Sequence, residues 1–249
     1  MTILAPTNNK KQIKQKFNIG KLLSDGATNS KTAKNDIKTF ILYMAPASMN
    51  GKGLNLCPHA SAGCLAACLN TAGRGKFSNV QNARINKADF FVDDRKEFLK
   101  VLTMEILFQV KKAIKGGYKI AFRLNGTTDL DFLYLLKKHT NFDYTALNKD
   151  RVFFYDYTPN LSRAIRYKDD LHYTLTFSRK EDNEAQTLEA IKQGVNVAAV
   201  FFSLPKKWAG VTVIDGDKSD LEMIKNKGVI LGLKAKGDAK KDTSGFVIR

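Results

Sequence analysis

The chain has 249 residues, 43% of them apolar and 26% charged, enough for one substantial core and short for two. Forty-one Lys and Arg against 24 Asp and Glu give a formal charge of +17, so the surface field attracts phosphates, acidic partners or anionic cofactors. An aromatic content of 10% argues against intrinsic disorder. Three cysteines are too few for a disulfide-built secreted domain. No apolar run of membrane-spanning length and no signal-peptide pattern is present, so a cytoplasmic location without membrane association is expected.

Residues 1–38 carry eight lysines against Asp25 and Asp36, and are expected as a basic, partly ordered arm. Residues 39–249 are expected as a single domain. Its first apolar run, 39–44, reads as a buried strand. A long Gly-, Ala-, Ser- and Asn-rich segment follows, of a length that a compact domain keeps for function. Helical spacing then predicts two helices from Ser78 onward, the second ended by Gly116 and Gly117. From there strands at 118–125, 151–157, 171–177, 196–202, 211–214 and 228–235 alternate with helices starting near Asp129, Asn160, Asp182 and Ser219.

Nearly continuous apolar strands alternating with helices imply a parallel sheet in an α/β fold. An open doubly wound sheet fits that pattern, as does a partial or complete (β/α) barrel. The barrel is favoured because polar residues recur at strand C-terminal ends: Arg123, Asn125, Asp156, Thr158, Ser178, Ser203, Asp215, Lys234 and Lys236. In a barrel these ends form one mouth, where active sites are built.

The three cysteines all fall within twelve residues, Cys57, Cys64 and Cys68. Cys64 and Cys68, four apart, are expected on one face of a helical turn, with Cys57 approaching from the preceding loop. Soft thiolates select zinc or iron–sulfur clusters. A structural zinc site needs four protein ligands, which would recruit His59 or a distant acid. A [4Fe–4S] cluster held by three cysteines leaves one iron open. Gly73 and Gly75 are expected to bring backbone amides to such a cluster, and Arg74, with Lys76, to add positive charge. Three buried but chemically idle thiols are the remaining alternative.

The strings NLCPHASAGCLAACLNTAGRG, NARINKADFF, RLNGTTDLD, YDYTPN and GLKAKGDAKKDTSGFVIR resemble the phage and plasmid proteins of the gene product 88 family. The resemblance implies a phage or mobile-element origin, hence the host cytoplasm, and carries no activity with it. A looser resemblance is to radical S-adenosylmethionine enzymes, which also hold a [4Fe–4S] cluster by three cysteines after the first strand of a partial barrel. It implies S-adenosylmethionine as a cofactor, although those enzymes space their cysteines C-x3-C-x2-C and the spacing here is C-x6-C-x3-C.

At the expected mouth, Asp156 is the candidate general base or substrate anchor. Arg123 supplies a fork for carboxylate or phosphate and Asn125 both donor and acceptor. Asp129 reads as the N-cap of the next helix. Lys234 and Lys236 are expected to direct charge into the mouth. Partners left open are a redox protein, a small-molecule substrate, or nucleic acid through the basic surface. The functional readings are an iron–sulfur protein with redox or radical chemistry, a zinc-stabilised nucleic-acid-binding phage protein, and a virion component that carries a cluster.

Overall fold

The computed structural model describes residues 3–26, 37–219 and 222–249. The strands are β1 (Leu23–Asp25), β2 (Ile37–Leu42), β3 (Lys119–Arg123), β4 (Val152–Thr158), β5 (Tyr173–Ser178), β6 (Val197–Phe201), β7 (Lys207–Trp208), β8 (Val211–Asp215), β9 (Ile230–Lys234) and β10 (Val247–Ile248). The helices are α1 (Lys10–Phe17), α2 (Ala62–Ala66), α3 (Ser78–Asp93), α4 (Arg95–Gly116), α5 (Phe132–Thr140), α6 (Leu161–Arg166), α7 (Glu184–Lys192) and α8 (Glu222–Lys225). The fold is α/β, built on one ten-stranded sheet in the order β1-β2-β3-β4-β5-β6-β9-β8-β7, with β10 added beside β6.

From β2 to β8 every neighbouring pair is parallel; only β1 and β7 run antiparallel to their neighbours. Each crossover between β2 and β6 carries at least one helix, as parallel pairing requires. Among the described residues no ladder joins β1 to β7, so the sheet is not closed by hydrogen bonds.

Alternation along each strand separates two apolar faces. Even-numbered residues of β2 to β4, such as Phe40, Phe122 and Phe154, pack with Phe90, Phe91, Phe98, Leu102 and Phe132 of α3, α4 and α5. Phe91 and Phe98 meet edge to face at 5.3 Å between centroids, as do Phe90 and Phe98, an arrangement their quadrupoles favour. Further along, Phe177, Val197, Ala199 and Phe201 pack with Ala164 of α6 and Ala190 of α7. On the opposite face Ala121, Tyr155, Ala198 and Leu231 cluster with one another and with Met223 of α8.

Helix ends follow the sequence signals. Asn160 caps α6 by accepting from the Arg163 amide at 3.0 Å, and Gly117 closes α4 at φ 69° in the left-handed region. The residue capping α5 is Asp131, not Asp129.

Where a partly ordered basic arm is expected, residues 3–26 hold α1 and β1 docked on the domain, and residues 27–36 lie outside the described ones. Ile13, Ile19, Leu22 and Leu23 join the main core. Glu97 of α4 accepts from the Thr7 amide, the Thr7 hydroxyl and the Asn8 amide. Glu105, two turns further along α4, accepts from the Leu22 and Leu23 amides. Lys87 of α3 donates to the Leu22 carbonyl at 2.8 Å. Among the described residues no helix is long and apolar enough to cross a membrane.

Candidate functional site

The segment from Tyr43 to Phe77 leaves the C-terminal end of β2 and lies over the ends of the neighbouring strands. Asn50 shapes its first half: its amide donates to the Ala47 and Leu54 carbonyls and its oxygen accepts from the Lys52 and Leu54 amides. Leu56 is fully buried, and its carbonyl accepts from the Asp129 amide at 3.0 Å, tying this segment to the loop after β3.

This scaffold places the three cysteines within electrostatic reach of one another. Cys57 Sγ accepts from the Ala47 amide at 3.2 Å and faces the Thr127 carbonyl at 3.7 Å. Cys64 sits inside α2, whose N-cap Ser61 accepts from the Cys64 amide at 3.2 Å. Glu181, just past β5, accepts from the Ser61 hydroxyl at 2.8 Å and the Gly63 amide at 2.7 Å. Cys68 departs from the expectation of a shared helical face. α2 ends at Ala66, and Cys68 at φ −59°, ψ 132° begins a separate 3-10 turn, its Sγ accepting from the Asn70 amide at 3.4 Å. The backbone thus turns between the last two cysteines instead of stacking them.

All three cysteines are free thiols and half-buried. Burial pushes Cys57 up to about 11, opposed by the Ala47 amide and aided by Cys68. Burial, then the neighbouring Cys68 and Cys57, push Cys64 up to about 12, with Lys180 opposing. Cys68 is raised by burial, against the Asn70 amide and Arg84. Cys57 and Cys64 therefore both feel neighbouring sulfurs, while neutral thiols are the stable form until a metal displaces their protons. Among the described residues, no three His, Cys, Asp or Glu side chains gather closely enough to hold a single metal ion. His59, one of the fourth ligands open to the zinc reading, lies 2.9 Å from Asn160 Nδ2.

Two cations outside the cysteine segment act on the sulfurs, Arg84 on Cys68 and Lys180 on Cys64. Arg84 of α3 is buried, lies 5.0 Å above the Tyr43 ring, and donates to the Asn70 carbonyl at 3.0 Å and to the Asn70 side chain. Lys180 is buried near Cys64 and pairs with Asp182 at 2.8 Å. Arg84 and Lys87 share a buried helical stripe with Ala88 and Phe91. Arg74 and Gly73 are exposed, and Lys76 with them. Gly75 is buried: a Cβ there would stand 2.5 Å from the Asn70 carbonyl oxygen and 3.1 Å from Arg84 Nη1. Its role is close approach to the turn after Cys68.

Lys234 ends β9 and Lys236 follows it. Lys234 has the strand parity of Ile230, whose side chain packs on the helix-covered face, and it is exposed. Lys236 pairs with Asp217 at 2.7 Å.

Asp156 and Asn125 are joined by hydrogen bonds, and Arg123 reaches Asp156 through its charge. Asp156 is buried and accepts from the Asn125 amide at 2.8 Å, the Asn125 side-chain amide at 3.2 Å and the Leu124 amide at 3.3 Å. Burial pushes its carboxyl up to about 7 against the pull of Arg123, Asn125 and Arg163. Asn125 Oδ1 in turn accepts from the Thr128 hydroxyl and the Leu130 amide. These two residues therefore lock the end of β3 and the loop beyond it. The Arg123 guanidinium lies over the Tyr157 ring at 4.8 Å, on the face opposite the helices. Asp129 is taken by a buried ion pair with Arg163, which also donates to the Thr158 hydroxyl.

The model of the family described as Gene product 88 matches residues 7–249. No curated protein and no solved structure matches the sequence.

Proposed function

We propose that this protein, which belongs to the Gene product 88 family, holds a [4Fe–4S] cluster on the thiolates of Cys57, Cys64 and Cys68 and serves in redox chemistry. One observation carries the reading. Three soft donors from a single loop at the C-terminal ends of parallel strands lie within electrostatic reach of one another.

The surroundings fit the same group. Amides of Ala47 and Asn70 reach two of the sulfurs, and Arg84 and Lys180 offset the negative charge of thiolates and sulfides. The cluster supplies one-electron chemistry and, with three cysteine ligands, an iron open to a small molecule. Arg123, braced on Tyr157, offers a fork for an anionic group. Asp156 and Asn125 hold the strand end that positions it.

A partial (β/α) barrel belongs to this reading. Strands β2 to β6 follow in sequence order, α3 to α7 line one face, and Ala121, Tyr155, Ala198 and Leu231 from different strands cluster with Met223 of α8 on the opposite face. A phage origin, as the family implies, places the chemistry in the host cell.

Anaerobic purification tests the proposal. Brown protein with iron and acid-labile sulfide, both lost in Cys64→Ser, is the expected result. Colourless protein with stoichiometric zinc, or iron retained by Cys64→Ser, overturns it. Reductive cleavage of S-adenosylmethionine by the reconstituted protein separates a radical enzyme from a redox carrier.

A further inference from the structure

Large apolar side chains are exposed in an uneven way. Of the thirteen that stand in solvent among the described residues, five fall between Met49 and Phe77: Met49, Leu54, Leu65, Leu69 and Phe77, at 39 to 55% exposure. The same stretch contains Lys52, Arg74 and Lys76 and no Asp or Glu of its own; Lys52 pairs with Asp93 of α3 at 3.1 Å, and Asp89 and Glu181 are turned onto its Gly51 and Gly63 amides at 2.8 and 2.7 Å, while Arg74 and Lys76 stand exposed. Leu65 and Leu69 each follow directly on a cysteine of the site, and Met49 Sδ contacts the Asn70 side chain at 3.9 Å, beside the turn of Cys68. Met49, Leu65 and Leu69 therefore border the thiols, with Arg74, Lys76 and Phe77 further along the same segment. Exposed apolar surface concentrated this way marks an interaction site.

We propose that this rim docks a small acidic electron-carrier protein, whose carboxylates face Arg74 and Lys76 while its apolar centre covers Leu65 and Leu69. Charge complementarity selects the partner: a stretch without a single carboxylate of its own, on a protein of charge +17, repels basic proteins and attracts acidic ones. The apolar members are mostly aliphatic, which suits a protein surface better than the aromatic stacking that single-stranded nucleic acid uses. Whatever covers the rim also covers the exposed edge of the sulfur site. The proposal rests on the cluster reading for its chemistry: one electron leaves the reduced carrier, oxidising its metal centre, and enters the cluster held by the three cysteines, with no bond made or broken.

The probe is a plant-type ferredoxin, acidic and of low potential. Calorimetric titration of oxidised ferredoxin onto the full-length protein needs no cluster and reads docking alone. Binding that falls as salt rises, and that weakens about tenfold or more in Leu65→Glu with Phe77→Glu and in Lys76→Glu, is the expected result. In the reconstituted protein, reduction by ferredoxin slows in the same variants while reduction by dithionite keeps its rate. Absence of binding, or binding unchanged in both variants, overturns the proposal. So does loss in these variants of binding to phosphatidylglycerol vesicles without any ferredoxin effect, which assigns the rim to a membrane surface. Iron and sulfide analysis on the same samples reports separately on the cluster.

Discussion

Arg84 Nη1 donates to the Asn70 carbonyl at 3.0 Å, fastening α3 to the turn that begins at Cys68. The same guanidinium opposes the rise of the Cys68 thiol. Arg84→Met removes both effects and leaves a buried polar cluster short of a donor, at a cost of about 1–3 kcal/mol. The expected outcome is a lower melting temperature together with lower metal content, and Arg84→Lys, which keeps the charge, retains more metal than Arg84→Met.

Gly75→Ala tests the same turn by steric means. The added methyl would meet the Asn70 carbonyl at 2.5 Å, so the backbone between Cys68 and α3 must move. Metal content is expected to fall while far-UV circular dichroism stays near that of the parent, because the sheet and long helices lie elsewhere. Unchanged metal content would show that the turn is not part of the thiol site.

The metal-free thiols give a pH signature. Folding holds Cys57 up to about 11 and Cys64 up to about 12, through burial first. Each stays protonated in the fold while the unfolded polypeptide loses its proton nearer 9, so the unfolded state binds fewer protons and stability falls as pH rises from about 9 toward 12. Urea titrations of metal-free protein should show this loss, and Cys64→Ala should flatten it. Alkylation of the folded thiols at neutral pH should be slow.

Asp156 acts in the opposite part of the scale. Its carboxyl, raised to about 7 by burial, favours the protonated form in the fold. Its contribution is therefore complete below the unfolded value near about 4 and is lost as pH climbs through about 7. Asp156→Asn is expected to remove that dependence. It also turns a donor toward the Leu124 and Asn125 amides, at a net cost of about 1–3 kcal/mol. Denaturant midpoints on the acid and alkaline sides of that window measure both effects.

Glu97 holds the beginning of the described residues. Burial pushes its carboxyl up, yet the Thr7 hydroxyl, the Thr7 and Asn8 amides and Lys100 together pull it below the usual carboxylate range. This contribution is present above the unfolded value and is lost as pH falls through the folded one. Glu97→Ala should cost about 1–3 kcal/mol and open the segment before α1 to limited proteolysis, detectable by mass spectrometry.

The central strands are legible in the sequence because a parallel sheet covered by helices favours apolar runs, which β3, β4 and β6 carry, while β5 alternates its apolar residues with threonine. Gly117 is equally legible, since a left-handed residue at a helix end selects glycine. β1 and α1 are not. Their sequence is lysine-rich and sparse in apolar residues, and their order comes from Glu97, Glu105 and Lys87, partners that no local pattern can reveal. In the candidate site the cysteines announce themselves by clustering. Arg84 and Lys180 do not, because a buried cation on a mixed helix or at a strand end looks like any surface residue until its neighbours are known. Sequence proximity favours the nearer charges, Arg74 and Lys76, and it suggests for Asp129 a capping role that Asp131 fills.

The clamp on the first described residues has a consequence for synthesis on the ribosome. Thr7 and Leu22 depend on carboxylates 90 and 83 positions further along, so neither can be seated until α4 has emerged. Until then the outer edge of β2 is bare and able to pair with another nascent polypeptide. Slow translation before Glu105 should therefore lower the yield of native protein more than a pause of equal length after it.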